Sequence, residues 1–289
     1  MSGPMSTEHR KAMAVIGAGT MGKGIAYAFA TASYDVLVVE PTQDIAARTT
    51  AEIIERAQAG VRKGRLDAAR AEALPDLLHV VPEIAQLPEG LDLIIESVPE
   101  QASLKADVLG KAEGRNPRLL ATNTSSISID SLAGGLARPE SFLGMHFFNP
   151  VWSIHLVEIV RGAASHEDSV ASAVAFAESI GKETIVVRDV AGFATSRLDN
   201  IAAFEAMRML EEGVASAEDI DRAATTAYGH PIGPLRLSDV VGLDVRLDIA
   251  HQLEGVYGQR YAPPAILEKL VAEGKLGRKS GSGFFEWPT

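Results

Sequence analysis

The stretch Ala12-Met13-Ala14-Val15-Ile16-Gly17-Ala18-Gly19-Thr20-Met21-Gly22 carries the reading of the fold. Its first five residues are apolar and read as a strand buried on both faces. They run into G-x-G-x-x-G, and residues 21–32 beyond have helical length and small side chains. In a strand that turns through glycines into a helix, this spacing has a mechanism. Gly17 allows the tight turn, Gly19 lets a pyrophosphate approach the backbone, and Gly22 lets helix and strand pack closely. The helix opens at Thr20 and Met21 and offers phosphates its N–H groups and about half a positive charge. A plain glycine turn is the competing reading, and the strand and helix around it argue against that.

Outward from this turn, a β-branched run at 35–39 ends in Glu40, and a helical stretch spans 44–63. After a polar piece to Pro75, short apolar runs recur at 77–81, 91–95, 119–122, 142–146 and 183–187. Continuous apolar runs separated by helices predict parallel strands and a Rossmann-type doubly wound sheet. Beyond residue 187 the β signal nearly stops. Helical lengths at 194–212, 216–227, 235–257 and 264–273 predict an all-α C-terminal domain, with Ser216 and Asp219 marking one helix start. The expected division is a dinucleotide-binding domain over 1–187 and a helical domain over 188–289.

The 289 residues suit two domains, and 46% apolar with 22% charged residues is ordinary for a folded chain. Basic residues number 27 against 38 acidic, a net charge of −11 at pH 7. Such a chain is a poor diffuse binder of nucleic acid or of an anionic membrane surface. An anionic ligand must instead be held locally. There is no cysteine, so disulfides, thiolate nucleophiles and Cys-ligated metals are excluded. No segment reaches the roughly 18 apolar residues of a membrane span. Residues 1–11 are polar and read as a loose arm, and a cytoplasmic protein is expected.

Three further places carry candidate chemistry. Glu40 can accept from both ribose hydroxyls of NAD and would repel a 2′-phosphate, and no Arg follows it; a solvated strand-end acid is the alternative. Residues 121–126, Ala-Thr-Asn-Thr-Ser-Ser, follow a strand where ligands collect in open α/β sheets, although alone they are no better than a polar turn. His146-Phe147-Phe148-Asn149-Pro150 ends the next strand, with Glu158 in the run His155-Leu156-Val157-Glu158-Ile159-Val160. Alternation puts Glu158 on a face with Leu156 and Val160, a costly place for an acid unless it is paired. A nearby imidazole is the natural partner, and a carboxylate orients such a base. His155 falls on the opposite face, and by composition alone a histidine is more often structural.

With these residues side by side, the chain resembles the L-3-hydroxyacyl-CoA dehydrogenase family, including its bacterial 3-hydroxybutyryl-CoA members. The resemblance runs from about Lys11 to Phe285. Its specific pieces are residues 15–22, Asn123-Thr124-Ser125-Ser126, 146–150 with Leu156-Val157-Glu158, Gly192-Phe193, 230–234, 241–244 and 276–284. It implies NAD-dependent, reversible oxidation of a (3S)-3-hydroxyacyl-CoA to the 3-oxoacyl-CoA, with a short chain such as 3-hydroxybutyryl. By the same resemblance His146 is the general base, paired with Glu158. Ser125 bonds the substrate oxygen, and Asn149 supports the nicotinamide and His146. The implied cofactor residues are Gly17, Gly19, Thr20, Met21, Gly22, Glu40, Glu100, Lys105, Asn123 and Lys279. Lys63, between Arg62 and Arg65, matches a position that contacts the CoA, with a solvated basic helix end as the alternative. No metal is implied, and the helical domain is expected to close the cleft and form a homodimer.

Two departures stand out. Ser196 occupies a place where many members have Asn, and it reaches less far. Trp152 brings bulk to a segment that often carries Pro, which bears on the acyl chains that fit. Two other classes remain open at this point. One is a dehydrogenase of a carrier-protein-bound or free hydroxy acid, and the other is a non-catalytic NAD-binding structural protein.

Overall fold

The computed structural model describes residues 11–288, so the arm expected at the N-terminus, with His9, lies outside the described residues except for Lys11. Two compact units divide between Asp189 and Val190.

The first unit runs β1 (Ala12–Ile16), α1 (Thr20–Thr31), β2 (Asp35–Val39), α2 (Gln43–Arg62), α3 (Ala68–Glu72), α4 (Leu74–Leu77), β3 (Leu78–Val81), β4 (Leu93–Glu96), α5 (Ala102–Glu113), β5 (Leu119–Thr122), α6 (Ile129–Ala133), β6 (Phe142–Phe147), β7 (Leu156–Arg161), α7 (Glu167–Ser179) and β8 (Glu183–Arg188). The strands form one sheet in the order β3-β2-β1-β4-β5-β6-β7-β8. From β1 the chain builds outward through β2 and β3, then crosses to β4 on the other side. That reversal opens a crevice at the carboxyl ends of β1 and β4. The expected parallel pairing has one exception, since β7 runs antiparallel to β6. Residues 148–155 are too short a connection for the crossover of about a dozen residues that parallel strands need.

Helix α1 lays Ile25 and Phe29 against Met13 and Val15 of β1 in one apolar core. Phe29 is wholly buried, so its replacement by Ala would cost about 3–5 kcal/mol. Two glycines permit this packing. A Cβ on Gly22 would stand 1.8 Å from the Gly17 carbonyl oxygen. Gly17 has φ +102°, and a Cβ there would stand 2.7 Å from the Ser97 carbonyl oxygen.

The second unit is helical, with α8 (Thr195–Glu211), α9 (Ala217–Tyr228), α10 (Pro234–Val241), α11 (Leu243–Tyr257) and α12 (Ala265–Ala272). Ser216 caps α9 by accepting from the Asp219 N–H at 3.2 Å. The single helix expected over 235–257 is two helices, broken where Gly242 takes φ +105°. From α9, Asp221 accepts the Leu235 and Arg236 N–H groups at 2.9 Å each and so caps α10. Burial raises the Asp221 pKa, and these two bonds oppose the rise. Asp239 accepts from the Phe284 and Phe285 N–H groups at 2.9 Å and from Trp287 Nε1 at 2.8 Å, tying the C-terminal segment to α10. Phe204, Met207, Leu235, Leu243 and Leu253 form the core. Among the described residues, no helix is long and apolar enough to cross a membrane.

Candidate active site

The carboxyl ends of six strands of the first unit, β1 to β6, border a groove of about 1350 Å³. Gly17, Gly19, Thr20 and Met21 line it from the first turn, and Glu40 from the end of β2. Glu100 and Lys105 enter after β4, Asn123 and Ser125 after β5, and His146 and Asn149 at the end of β6. The fold thus gathers candidates that are far apart in the chain.

His146 lies directly opposite Glu158 on the antiparallel β7, and its Nδ1 is 2.8 Å from Glu158 Oε2. Glu158 is wholly buried. With Nδ1 engaged by the carboxylate, Nε2 is the nitrogen suited to take a substrate proton. The Phe148 ring packs 4.4 Å from the imidazole, centroid to centroid.

At the other end, the first turn of α1 has no acidic residue and no side-chain cap. A Cβ on Gly19 would meet nothing within 4 Å, so the backbone there faces open groove. Glu40 is buried, with Oε2 accepting from the Ala18 N–H at 3.1 Å and Oε1 from the Thr42 N–H at 2.8 Å. Each oxygen keeps a second lone pair for a ribose hydroxyl.

The middle of the groove is organised by charge. Glu100 Oε1 accepts from the Thr124 hydroxyl at 2.6 Å and from the Ser125 and Ser126 N–H groups at 3.0 Å each. Burial alone would raise the Glu100 pKa. The Thr124 hydroxyl, the Lys105 ammonium and the Ser125 and Ser126 bonds outweigh it and hold the carboxyl below its usual range. Lys105, expected as a direct cofactor contact, borders the groove but is only 1% exposed. Its ammonium lies 2.8 Å from Glu96 Oε1 and 3.3 Å from Glu100 Oε2. Asn123 borders the groove and also accepts the Phe147 N–H at 2.9 Å, which pins the strand that carries His146.

Sequence reasoning missed Glu96, and gave Thr122, within the stretch 121–126, no role of its own. Both are wholly buried, and the Thr122 hydroxyl donates to Glu96 Oε2 at 2.6 Å. The signal was an acid closing an apolar run with a lysine nine residues on. Other candidates lie elsewhere. Gly22 packs beneath the turn, and Lys63 is an exposed residue at the end of α2, away from the groove lining. Ser196 and Lys279 belong to the helical unit, where Lys279 Nζ pairs with Asp244 Oδ2 at 2.5 Å. Trp152 lines a second hollow of about 480 Å³, which shares Thr20 with the groove. Its indole lies under the Arg56 guanidinium at 4.1 Å and meets the edge of Tyr27.

Residues 12–190 match the family described as 3-hydroxyacyl-CoA dehydrogenase, NAD binding domain, and residues 192–287 match its C-terminal domain. The chain belongs to the 3-hydroxyacyl-CoA dehydrogenase family. This dehydrogenase is 36% identical over 278 residues to the 3-hydroxybutyryl-CoA dehydrogenase of Mycobacterium tuberculosis, covering 94% of this chain and 97% of that one. It is 33% identical to the mitochondrial hydroxyacyl-coenzyme A dehydrogenase of Sus scrofa, covering 96% and 91% of the two chains. The crystal structure of (S)-3-hydroxybutyryl-CoA dehydrogenase from Ralstonia eutropha superposes with a TM-score of 0.91 at 33% identity, covering 97% of this chain and all of that one.

The dehydrogenase is an NAD-dependent oxidoreductase. The groove fits that cofactor, with open space over Gly19, an uncapped helix N-terminus for the pyrophosphate and a rigid carboxylate at Glu40 for the ribose.

Proposed function

We propose that the dehydrogenase interconverts short-chain (3S)-3-hydroxyacyl-CoA and 3-oxoacyl-CoA, with 3-hydroxybutyryl-CoA as its reference substrate, and that His146 is its general base. The observation that carries this reading is the 2.8 Å contact of His146 with the buried Glu158, beside a groove shaped for a dinucleotide. The short chain is supported by the named substrate of the mycobacterial relative.

In the oxidative direction the C3–H bond of the substrate breaks as a hydride and its O–H proton passes to His146 Nε2, leaving a C3 carbonyl. NAD, when bound, supplies the hydride acceptor. The imidazolium so formed is stabilised by Glu158, which also fixes the ring orientation. The Ser125 hydroxyl donates to the substrate oxygen as its negative charge develops. Asn149 steadies the nicotinamide end, and Gly17, Gly19, Thr20, Met21, Glu40 and Asn123 hold the rest of the cofactor. Glu100 lies alongside it, Lys63 and Ser196 are substrate contacts, and Lys279 is a cofactor contact.

Purified protein mixed with NADH and acetoacetyl-CoA should consume nicotinamide absorbance, and free CoA should compete. An absence of turnover across a panel of 3-oxoacyl-CoA substrates would overturn the assignment. Turnover that ignores free CoA would point instead to a carrier-protein or free-acid substrate.

The same proposal includes a cytoplasmic homodimer formed through the helical unit. The exposed apolar side chains Leu198, Val245 and Val256 of that unit, and the absence of cysteine, support it. Light scattering on the eluting protein tests the dimer.

A further inference from the structure

The reaction as proposed has no use for one wholly buried charged group. Glu96, at the last position of β4, is 0% exposed, and its partner Lys105 is 1% exposed. A buried ion pair is expensive to form and often no more stabilising than apolar residues of the same size. Stability alone is therefore a weak account of it, and its connections suggest another.

Both oxygens of Glu96 lead to the same turn. Oε2 accepts from the Thr122 hydroxyl at 2.6 Å, and that hydroxyl oxygen in turn accepts the Thr124 N–H at 3.3 Å. Oε1 takes the Lys105 ammonium at 2.8 Å and the Val98 N–H at 2.6 Å. Lys105 also reaches Glu100 Oε2 at 3.3 Å. The other Glu100 oxygen gathers the Thr124 hydroxyl and the Ser125 and Ser126 N–H groups. The Ser125 hydroxyl stands 3.5 Å from that oxygen, at the limit of a hydrogen bond. The backbone of Ser125 is thus clamped, while its hydroxyl is held only weakly.

We infer that Glu96 is a positioning residue. Through Thr122 on one side, and through Lys105 and Glu100 on the other, it fixes residues 123–126 so that the Ser125 hydroxyl is aimed at the substrate oxygen. Lys105 acts in the same chain, its charge spent on the two carboxylates. This rests on the reading of Ser125 as the residue that bonds the substrate oxygen. A displacement of about 1 Å in such a contact is enough to cost on the order of 10²-fold in rate.

The test separates aiming from folding. Lys105→Met would strand a buried carboxylate and is avoided, and E96Q/K105Q removes both charges together. T122V removes only the hydroxyl at nearly constant shape, and T122S restores it. Each variant is first checked for an unchanged circular dichroism spectrum and for NADH binding. We expect T122V to lower kcat for acetoacetyl-CoA about tenfold with its KM for NADH within about twofold, E96Q/K105Q to lower kcat further, and T122S to recover. In an S125A background, T122V should add little, because residues acting through one another do not add. Folded T122V and E96Q/K105Q proteins with unchanged kcat would overturn the inference, as would a T122V effect that adds fully to S125A. If S125A itself keeps its kcat, the role of Ser125 falls first and this inference with it. If S125A loses kcat while T122V and E96Q/K105Q do not, only the inference falls.

Discussion

His146 and Glu158 are joined twice, as a directly opposed pair in the β6–β7 ladder and through the 2.8 Å contact of their side chains. The backbone pairing fixes where the carboxylate stands, and the side-chain contact fixes how the imidazole is turned. H146A should therefore lower kcat by about 10²–10⁴, the share of a general base, with little change in fold. E158Q keeps the shape but not the charge opposite the imidazolium, and should lower kcat on the order of 10²-fold. Steady-state rates with acetoacetyl-CoA decide, and near-normal turnover in H146A removes it from the role.

The glycines of the first turn separate folding from binding. Gly22→Ala forces a Cβ to 1.8 Å from the Gly17 carbonyl oxygen, so little folded protein should be recovered. Gly19→Ala meets nothing within 4 Å. It should leave the melting temperature within about 2 °C, as a substitution without a structural clash does. Its effect should appear as a KM for NADH raised roughly tenfold or more, because the new methyl fills space meant for phosphate. Thermal melts beside NADH titrations check both halves.

Glu40 should set the choice of cofactor. Its two oxygens already hold the Ala18 and Thr42 N–H groups, so the carboxylate is rigid where the ribose would sit. E40Q should raise KM for NADH about tenfold, near the worth of a hydrogen bond to a charged group, and should let NADPH be used measurably. An unchanged ratio of NADH to NADPH use would show that Glu40 does not read the ribose.

Acid should loosen the turn that carries Ser125. Glu100 has its pKa lowered from 4.5 by the Thr124 hydroxyl, Lys105 and the Ser125 and Ser126 bonds, which together outweigh its burial. In the window below 4.5 the unfolded chain binds the proton more readily, so the stabilisation is complete above that window and is lost as pH falls through the folded value. E100Q should therefore be less stable than the parent at pH 7, and the gap should narrow as pH falls below 4.5. Urea midpoints at pH 7 and at several acid values measure it. A gap that stays constant with pH would mean that the Glu100 charge contributes nothing.

Much of this molecule was legible from its residues. The glycine turn, the run of buried strands and the helical second half all follow from periodicity and spacing, and alternation around Glu158 was enough to flag a buried acid. The antiparallel turn of β7 was not legible, because strands buried on both faces look alike in either direction. Nor was the break at Gly242, since one glycine in a helical pattern is often tolerated. Glu96, and the part Thr122 plays beside it, escaped for a different reason. Each ends its own apolar run, and what they do depends on partners that only the sheet brings together.

The reversal at β7 also divides what can change in this enzyme from what cannot. Residues 148–155 join two strands whose pairing, rather than their connection, sets the meeting of base and carboxylate. Lengthening or reshaping that loop around Trp152, beyond Phe148 and Asn149, leaves both members of the pair where they are. A single residue inserted between Leu156 and Glu158 would turn the acid to the opposite face of the sheet and silence the chemistry. The part of the loop around Trp152 is therefore a place where descendants or engineers can explore new substrates at little risk, between a site-lining start at Phe148 and Asn149 and a strand that tolerates no editing of its length.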